Sequence, residues 1–408
     1  MGAIQQLVFA NYGVDNKIQD TFLTGKPSHN FIKQVYRQYI NFAIENIKIL
    51  PVSDYNFNKK ITFEIKKTGE FLKSISFAFT LPPLVPSSGT FAGWTNGIGY
   101  AIIDYIEIQI NNKIIDTQYG LFMMIWYELT NNLGYTNASD SLIGKFSSIS
   151  SLQYNALYPT TYHVEIPFWF SENIGSALPL LCLTQSSFII FNVKLNSFDK
   201  CIVYDGVTPP NQVSLTDCWM DTDQIFVDDQ FVKKFKGEKH TYIIKQCQIQ
   251  KDDIIGKSKK LELNFNHPVN QLLFVARESE SEENNDWFNF GLRNNGIVHQ
   301  PVYPLLVKAR LLLDSKERNE YQSSNELSLL NSHKYYINTV DTYIYSMPFC
   351  NEPTKWFPNG SLNFSIIDSA ELQLEFIDQV PDSSLIVFAI NFNFIEIDGN
   401  YVKLEYDT

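Results

Sequence analysis

Short segments in which apolar and polar residues alternate recur along the whole chain, and this pattern is typical of β-strands with one buried face. Between them lie segments rich in Gly, Pro and Asn, which favour turns and loops. The strands predicted in this way are Phe31–Ile49, Ile61–Leu81 (two strands), Tyr100–Ile110, His163–Phe170, Ser187–Leu195, Gln224–Val232, Thr241–Ile249, Leu261–Ala276, Leu305–Leu313, Thr342–Phe349, Leu362–Ile366, Glu371–Ile377 and Leu385–Ile397. Many short strands joined by long loops indicate a β-sandwich rather than an α/β fold.

The order of the predicted strands repeats once, at an offset of about 200 residues. Three pairs of segments carry the repeat: Ile61–Ile65 with Leu261–Phe265, Phe71–Leu81 with Val269–Ala276, and Asp104–Ile110 with Val307–Leu313. Each copy has about eight strands, which fits a jelly roll. We therefore predict an all-β protein made of two tandem eight-stranded jelly-roll β-sandwiches, with short helices in the loops.

Two further patterns complete the predicted organisation. Leu121, Met124, Ile125 and Leu129 follow helical spacing and predict a short helix within Tyr119–Thr130. A polar segment with Pro209 and Pro210 marks the best domain boundary. The predicted divisions are an N-terminal arm at residues 1–25, a first jelly roll at residues 26–210 and a second at residues 211–408.

Composition narrows the possible functions. The 408 residues are enough for two domains that each bury a core. The net charge of −12 argues against direct binding of nucleic acid, because phosphate contacts require a basic face. We expect no membrane span, since no apolar run approaches the ~20 residues that a span requires. We also expect no signal peptide, because Met1–Gln6 lacks a basic start followed by an apolar core.

The residues that usually carry catalysis or bind metals do not form a recognisable motif. The five cysteines, at positions 182, 201, 218, 247 and 350, are irregularly spaced and are expected to be free thiols. The six histidines, at positions 29, 163, 240, 267, 299 and 333, never form a metal-binding spacing. No nucleophile elbow or phosphate loop is present. We predict no catalytic, cofactor-binding or metal-binding residue and no enzymatic activity.

Two acidic segments have both a functional and a structural interpretation. Glu278–Glu283 is either a cation site or a solvated loop whose like charges keep it extended, and the second interpretation is favoured. The aspartates at positions 217, 221, 223, 228 and 229 are similarly expected to solvate a linker rather than bind a cation. Sequons for N-glycosylation occur at Asn137, Asn359 and Asn363, and the sequence does not determine whether they are used.

Several blocks of the chain resemble the major capsid proteins of nucleocytoplasmic large DNA viruses, the double jelly-roll family. In the first half the blocks are Thr21–Pro27, Phe31–Arg37, Asn41–Glu45, Gly99–Ile108, Ile114–Asp116, Trp126–Thr130 and Pro167–Phe170; in the second they are Asn264–Val269, Leu311–Arg318 and Pro358–Ser365. They are collinear from about Thr21 to Phe394. The charged ending, Glu396–Thr408, departs from the family's usual Gly-rich ending.

The resemblance implies a structural virion protein, a major capsid protein whose homotrimers form pseudo-hexagonal capsomers that tile an icosahedral capsid. The implied partners are neighbouring capsomers and minor capsid and penton proteins. Proximity to an internal viral membrane is implied for the N-terminal arm. The implied location is the virion, with assembly in the host cytoplasm or a viral factory. The loops Pro82–Gly99 and Arg277–Tyr303, and parts of Asn131–Tyr158, are expected on the outer face.

We predict different locations for three of the tryptophans. Trp169 lies in a predicted strand and is expected in the core, whereas Trp94 and Trp287 lie in loops and are candidates for trimer contacts. The alternatives left open are a minor or virophage-type capsid protein of the same fold, or a tandem jelly-roll protein that acts on or binds glycans.

Overall fold

The structure, a computed structural model, describes residues 2–5, 32, 38–131, 136–184, 186–236, 238–293, 303–398 and 401–406, with the backbone alone for residues 136 and 137. Met1–Asn41 form one unit and Phe42–Thr408 another. In the first unit, residues 2–5 form an exposed helical turn and residues 38–41 are exposed. The rest of the predicted arm at residues 1–25 lies outside the described residues.

Twenty-two strands are described, most of them short. They are β1 Phe42–Ile49, β2 Lys60–Glu64, β3 Phe71–Leu81, β4 Ala92–Trp94, β5 Ile103–Ile110, β6 Lys113–Tyr119, β7 Thr160–Glu165, β8 Leu178–Pro179, β9 Ile189–Leu195, β10 Ile202–Tyr204, β11 Asp217–Val227, β12 His240–Ile254, β13 Ser258–Glu262, β14 Pro268–Glu278, β15 Leu306–Leu313, β16 Lys316–Glu317, β17 Gln322–Ser323, β18 Tyr345–Pro348, β19 Leu362–Asn363, β20 Ala370–Phe376, β21 Ser383–Asp398 and β22 Tyr401–Leu404.

The helices lie in the connections between strands. They are α1 Ile98–Ala101, α2 Gly120–Thr130, α3 Thr136–Ile143, α4 Ile149–Ala156, α5 Trp169–Glu172, α6 Asp229–Lys236, α7 Ser279–Glu283 and α8 Asn331–Tyr335. Short 3-10 turns occupy Ile174–Ser176, Leu180–Cys182, Phe198–Cys201 and Phe364–Ile366, and a π-helical turn occupies Glu326–Leu330.

The first sandwich consists of two facing antiparallel sheets. One sheet has the order β1-β11-β3-β7, with β8 beside β3, and the other has the order β2-β9-β5-β6. Alternate residues of each strand point into the space between the sheets. Phe63 of β2 and Phe77 of β3, both fully buried, meet edge-on there with ring centroids 6.1 Å apart. The small pair β4–β10 closes one end.

The second sandwich repeats the order of the main strands of the first. Its sheets have the orders β12-β21-β14-β18, with β19 beside β14, and β13-β20-β15-β16. The segments paired in the sequence repeat occupy equivalent places, because β2, β3 and β5 correspond to β13, β14 and β15 in sheet order. The predicted duplication and the all-β double jelly-roll fold are therefore confirmed.

The helix predicted within Tyr119–Thr130 is α2, which begins where β6 ends. Gly120 begins it at a close approach to β5, since a Cβ at this position would lie 2.1 Å from the Ile103 carbonyl oxygen. Of the four residues whose spacing predicts this helix, Met124, Ile125 and Leu129 are buried, whereas Leu121 is partly exposed.

The strands β14 and β21 are buried on both faces. Leu272 and Phe274 point into the second sandwich, whereas Leu273 and Val275 join the apolar core that continues into the first sandwich. This explains the nearly continuous apolar run Leu385–Ile397, since a strand covered on both sides has no polar face.

Several predicted strands are shorter than expected, and two of them end where an α-helix follows. His163–Phe170 is a strand only to Glu165, because Pro167 lacks a backbone N–H for the ladder and α5 follows. Gln224–Val232 is a strand only to Val227. Asp228 then accepts the backbone N–H of Phe231 at 2.8 Å, a hydrogen bond typical of a helix start, before α6.

Strand β11 lies just after the domain boundary predicted between residues 210 and 211. It pairs with β1 along its length and with β3 from Asp217–Thr80 to Ile225–Phe71, so it lies in a sheet of the first sandwich. The first strand of the second sandwich, β12, begins at His240.

Candidate functional site: the seam and the exposed faces

Residues with catalytic potential are engaged in packing. The five cysteines are free, and burial raises the pKa of Cys182 and Cys350 to about 11, which keeps these thiols protonated near neutral pH. The rings of His163, His240 and His267 pack against Trp219, Phe235 and Tyr406, respectively. Within the described part of the chain, no group of three or more His, Cys, Asp or Glu could hold a metal ion.

The acidic run Glu278–Glu283 is not the extended, solvated loop that was predicted. It forms helix α7, where Arg277, with a side chain 6% exposed, pairs with Glu282 and donates to the Trp287 carbonyl oxygen at 2.9 Å. Glu278 accepts the backbone N–H of Arg293 at 3.0 Å. The expectation is wrong because a buried arginine compensates the negative charge that would otherwise keep the run extended.

The aspartates between positions 217 and 223 also lie in regular structure rather than in a linker. Asp223 in β11 accepts hydrogen bonds from Asn46 at 3.0 Å and Ser74 at 2.8 Å, and so connects three strands. Asp221 accepts the indole N–H of Trp219 at 2.9 Å. The linker expectation for these residues is wrong, whereas Asp228 and Asp229 do lie at the start of a connection.

The tryptophans lie mainly inside the chain. Trp169 is 4% exposed, which confirms its assignment to the core. Trp94 is 3% exposed and stacks on Phe57, so its predicted role in trimer contacts is wrong. Trp287 is partly buried and donates to the Lys200 carbonyl oxygen at 2.8 Å, which joins the two sandwiches.

We call the contact between the sandwiches the seam; its polar centre lies between β6 and β12. Asp116 in β6 is 3% exposed and accepts the backbone N–H of Cys247 at 3.2 Å and the side-chain N–H of Gln118 at 2.6 Å. The neighbouring Gln246 donates to the Ile115 carbonyl oxygen at 2.5 Å. Burial raises the pKa of Asp116 to about 7 against the effect of these hydrogen bonds.

Two further polar contacts flank this centre. Lys245 in β12 pairs with Glu172 in α5 at 2.9 Å. Burial raises the pKa of Glu172 above its ordinary value, although Lys245 has the opposite effect. Asn338 donates to the carbonyl oxygens of Leu129 at 3.1 Å and Glu128 at 2.9 Å. A residue of the second sandwich thus satisfies the free carbonyl groups at the end of α2.

The apolar part of the seam covers the outer face of β14 and β21, the face directed away from the second sandwich's own core. Phe388 of β21 lies against Phe122 of α2 at 5.5 Å and against Tyr119 at 6.4 Å between ring centroids. One hydrophobic cluster runs from the first sandwich through these residues. The two sandwiches therefore share a core.

The loops at one end of both sandwiches are linked by hydrogen bonds. Asn285, which follows α7, donates to the carbonyl oxygens of Asp199 and Ile202, both at 2.7 Å. Thr95 donates to the Asn285 carbonyl oxygen at 2.5 Å, and Asn96 donates to the Phe146 carbonyl oxygen at 2.8 Å. The connections after β3, β6, β9 and β14 thus form one network.

An open groove of about 470 Å³ lies on the first sandwich. It lies beside the outer face of β3 and β11 and is lined there by Ser74, Ser76, Asp221 and Asp223. Lys73, Glu165 and part of α2 complete the lining, which combines an excess of carboxylates with apolar and aromatic side chains such as Met123 and Trp126.

Sequence reasoning missed the seam residues Asp116, Glu172, Lys245 and Asn338. Their partners across the seam lie more than 70 residues away along the chain, and no local pattern reports such a contact. Of the sequons, Asn359 donates to the Glu352 carbonyl oxygen at 2.9 Å, and Asn363 accepts the backbone N–H of Ser365 at 3.0 Å.

Among the described residues, no helix is both long enough and apolar enough to cross a membrane.

Two family models match the chain in succession. Residues 30–233 match the N-terminus of the major capsid protein, and residues 232–402 match the large eukaryotic DNA virus major capsid protein.

Individual relatives agree with these models. The chain is 28% identical to the major capsid protein of Pyramimonas orientalis virus over 99% of both chains. The PBCV-1 capsid structure superposes with a TM-score of 0.80 at 21% identity, covering 93% of this chain and 100% of that one. The Sputnik virophage structure gives a TM-score of 0.60 at 10% identity, covering 94% and 92%.

Proposed function

The chain belongs to the family of major capsid proteins of large eukaryotic DNA viruses, and we propose on this basis that it is the building block of a virion capsid, with three copies forming each capsomer. Two equivalent sandwiches per chain give six around a threefold axis. A trimer of this kind has a nearly hexagonal outline and can tile a flat facet with similar contacts on all sides.

The observation that carries the proposal is the seam. A capsomer with pseudo-sixfold shape requires the two sandwiches of a chain to keep a fixed relation. A shared apolar core, a buried carboxylate and a capped helix end together provide this rigidity. The relatives are structural proteins and no enzyme family is indicated, which supports a structural rather than a catalytic role.

Several finer features belong to the same proposal. Neighbouring capsomers and minor capsid and penton proteins are the expected partners, without direct contact to nucleic acid. The linked loop network is the expected outer end, and the N-terminal arm is expected near an internal membrane. Assembly is expected in the host cytoplasm or a viral factory. We also infer that the two jelly rolls divide between Val227 and His240.

Native mass tests the trimer directly. Light scattering on a sizing column is expected to give three chain masses for the purified protein, and negative-stain images are expected to show hexagonal particles. A folded chain that stays monomeric at high concentration would contradict the capsomer. Turnover of a glycan, or binding of one by the monomer, would favour the alternative glycan-related function.

A further inference from the structure

A small cavity lies in the seam beside the polar centre. It has a volume of about 20 Å³, and its polar lining includes Gln118 of β6, Glu172 of α5 and Lys245 of β12. The rings of Phe122 and Trp126 form part of its apolar wall. Both sandwiches therefore contribute polar side chains to one small space between them.

The amide of Gln118 is satisfied by the protein at one end only. Its Nε2 atom donates to Asp116 at 2.6 Å. Its Oε1 atom is buried and has no hydrogen-bond partner among the described residues, in a residue that is 4% exposed. A buried amide oxygen without a partner destabilises the folded chain, and such atoms in proteins usually bind an ordered water.

Lys245 brings a hydrogen-bond donor to the same cavity. Its ammonium group donates to both carboxylate oxygens of Glu172, at 3.1 and 2.9 Å. These two bonds use two of the three N–H groups of the ammonium, so one donor remains. This donor does not reach the Gln118 oxygen directly, because that oxygen has no partner in the described part of the chain.

We propose that this cavity binds one water molecule, which accepts a hydrogen bond from Lys245 and donates one to the Gln118 oxygen. A buried water requires about 10–15 Å³ and two to four polar partners. A cavity of about 20 Å³ lined by an ammonium, a carboxylate and an amide oxygen meets both conditions. The site lies within a single chain, so it goes beyond the proposed capsomer and does not depend on it.

The water completes a continuous chain of hydrogen bonds across the seam. This chain runs from the backbone N–H of Cys247 through Asp116 and Gln118 to the water, and then through Lys245 to Glu172. It attaches β12 of the second sandwich to both β6 and α5 of the first. The buried carboxylate and the ion pair are then parts of one network, and we expect their contributions to the stability of the seam to be coupled.

A water also suits both protonation states of Asp116, because it can donate as well as accept. The ionised carboxylate accepts from the Gln118 nitrogen, which leaves the Gln118 oxygen in need of a donor at the cavity. The protonated carboxyl can donate to that oxygen after a half-turn of the amide, and the nitrogen then needs an acceptor at the cavity. Besides the ion pair between β12 and α5, the titratable groups near Asp116 are the Cys247 thiol and the Tyr119 hydroxyl, and burial raises the pKa of both above their ordinary values.

An experimental structure of the purified full-length chain, at a resolution that shows ordered waters, tests the site directly. Density for one water is expected within hydrogen-bond distance of both the Lys245 Nζ atom and the Gln118 amide. Absence of density at this place overturns the proposal. A side-chain arrangement in which Lys245 donates directly to the Gln118 oxygen also overturns it.

Double-mutant cycles test the coupling through the water. Asp116→Asn and the pair variant Glu172→Gln/Lys245→Met are compared singly and combined, by the shift of the urea midpoint. In the wild-type background the combined shift is expected to be smaller than the sum of the separate shifts. In the Gln118→Met background, where the amide that binds the water is missing, the shifts are expected to add.

A second ion pair provides the matched control. Lys308 and Glu375 pair at 3.3 Å on the second sandwich, between β15 and β20. The variant Lys308→Met/Glu375→Gln is expected to add to Asp116→Asn in both backgrounds. Additive shifts for the seam pair in the wild-type background, or non-additive shifts that persist with Gln118→Met, overturn the proposed chain. If the seam variants fail to fold, the wild-type structure still decides whether the water is bound.

Discussion

At the scale of single residues, Asp116 is the group whose protonation most directly affects the seam. Its pKa is raised to about 7 because the carboxyl is buried between β6 and β12. The Oε1 atom of Gln118 is buried and has no hydrogen-bond partner among the described residues. A half-turn of the Gln118 amide would place this oxygen against Asp116, where a protonated carboxyl can donate to it.

We expect Asp116 to make stability depend on pH. The unfolded carboxyl ionises near its ordinary pKa of 3.8, whereas the folded one stays protonated to about 7. The stabilisation is therefore complete below pH 4 and is lost as pH rises through 7, by up to about 4 kcal/mol. Urea unfolding at pH 5 and pH 8 should show the part of this loss that falls above pH 5, about 3 kcal/mol, in the wild type and a smaller loss in Asp116→Asn. Equal losses in both proteins would contradict the assignment.

At the scale of secondary structure, β21 shows how one strand serves two cores. Its side chains alternate between the interior of the second sandwich and the seam, with Val387 on one side and Phe388 on the other. Such a strand appears in the sequence as a continuous apolar run, which predicts burial on both faces but not the partner on either.

Truncation of Phe388, whose ring faces the seam, should lower the stability of the folded chain. Phe388→Ala removes contacts with Phe122 and Tyr119 and leaves a cavity, with an expected loss of about 3–5 kcal/mol. Phe394→Ala in the same strand is the matched control, because Phe394 is 36% exposed, and its expected loss is smaller. Denaturant midpoints of the two variants measure the difference. Equal losses would show that the seam contributes little to stability.

The acidic run and β11 show where local reasoning at this scale fails. A run of six residues with four carboxylates predicts an extended loop. The prediction fails here because the buried Arg277, one residue before the run, pairs with Glu282. The aspartates of β11 similarly alternate along a strand whose outer face is polar, although their density is typical of a linker. In both cases tertiary contacts reverse a composition argument.

At the scale of the whole molecule, the shared core should make the two sandwiches unfold together. Separating them would expose the outer face of β14 and β21, including Leu273, Val275 and Phe388. Calorimetry of the chain is expected to give one transition with a calorimetric enthalpy close to the van't Hoff enthalpy. Two resolved transitions would mean that the sandwiches are independent and that the seam is a weak contact.

The sequence by itself determined the repeat, the strand pattern and thus the double jelly-roll fold, because each follows from local alternation of apolar and polar residues. It also indicated the family, through collinear blocks. Only the tertiary structure decided which faces meet. The partners of Asp116, Lys245 and Asn338 lie in the other half of the chain, and a pattern with a period of two residues reports that a face is buried without reporting what covers it.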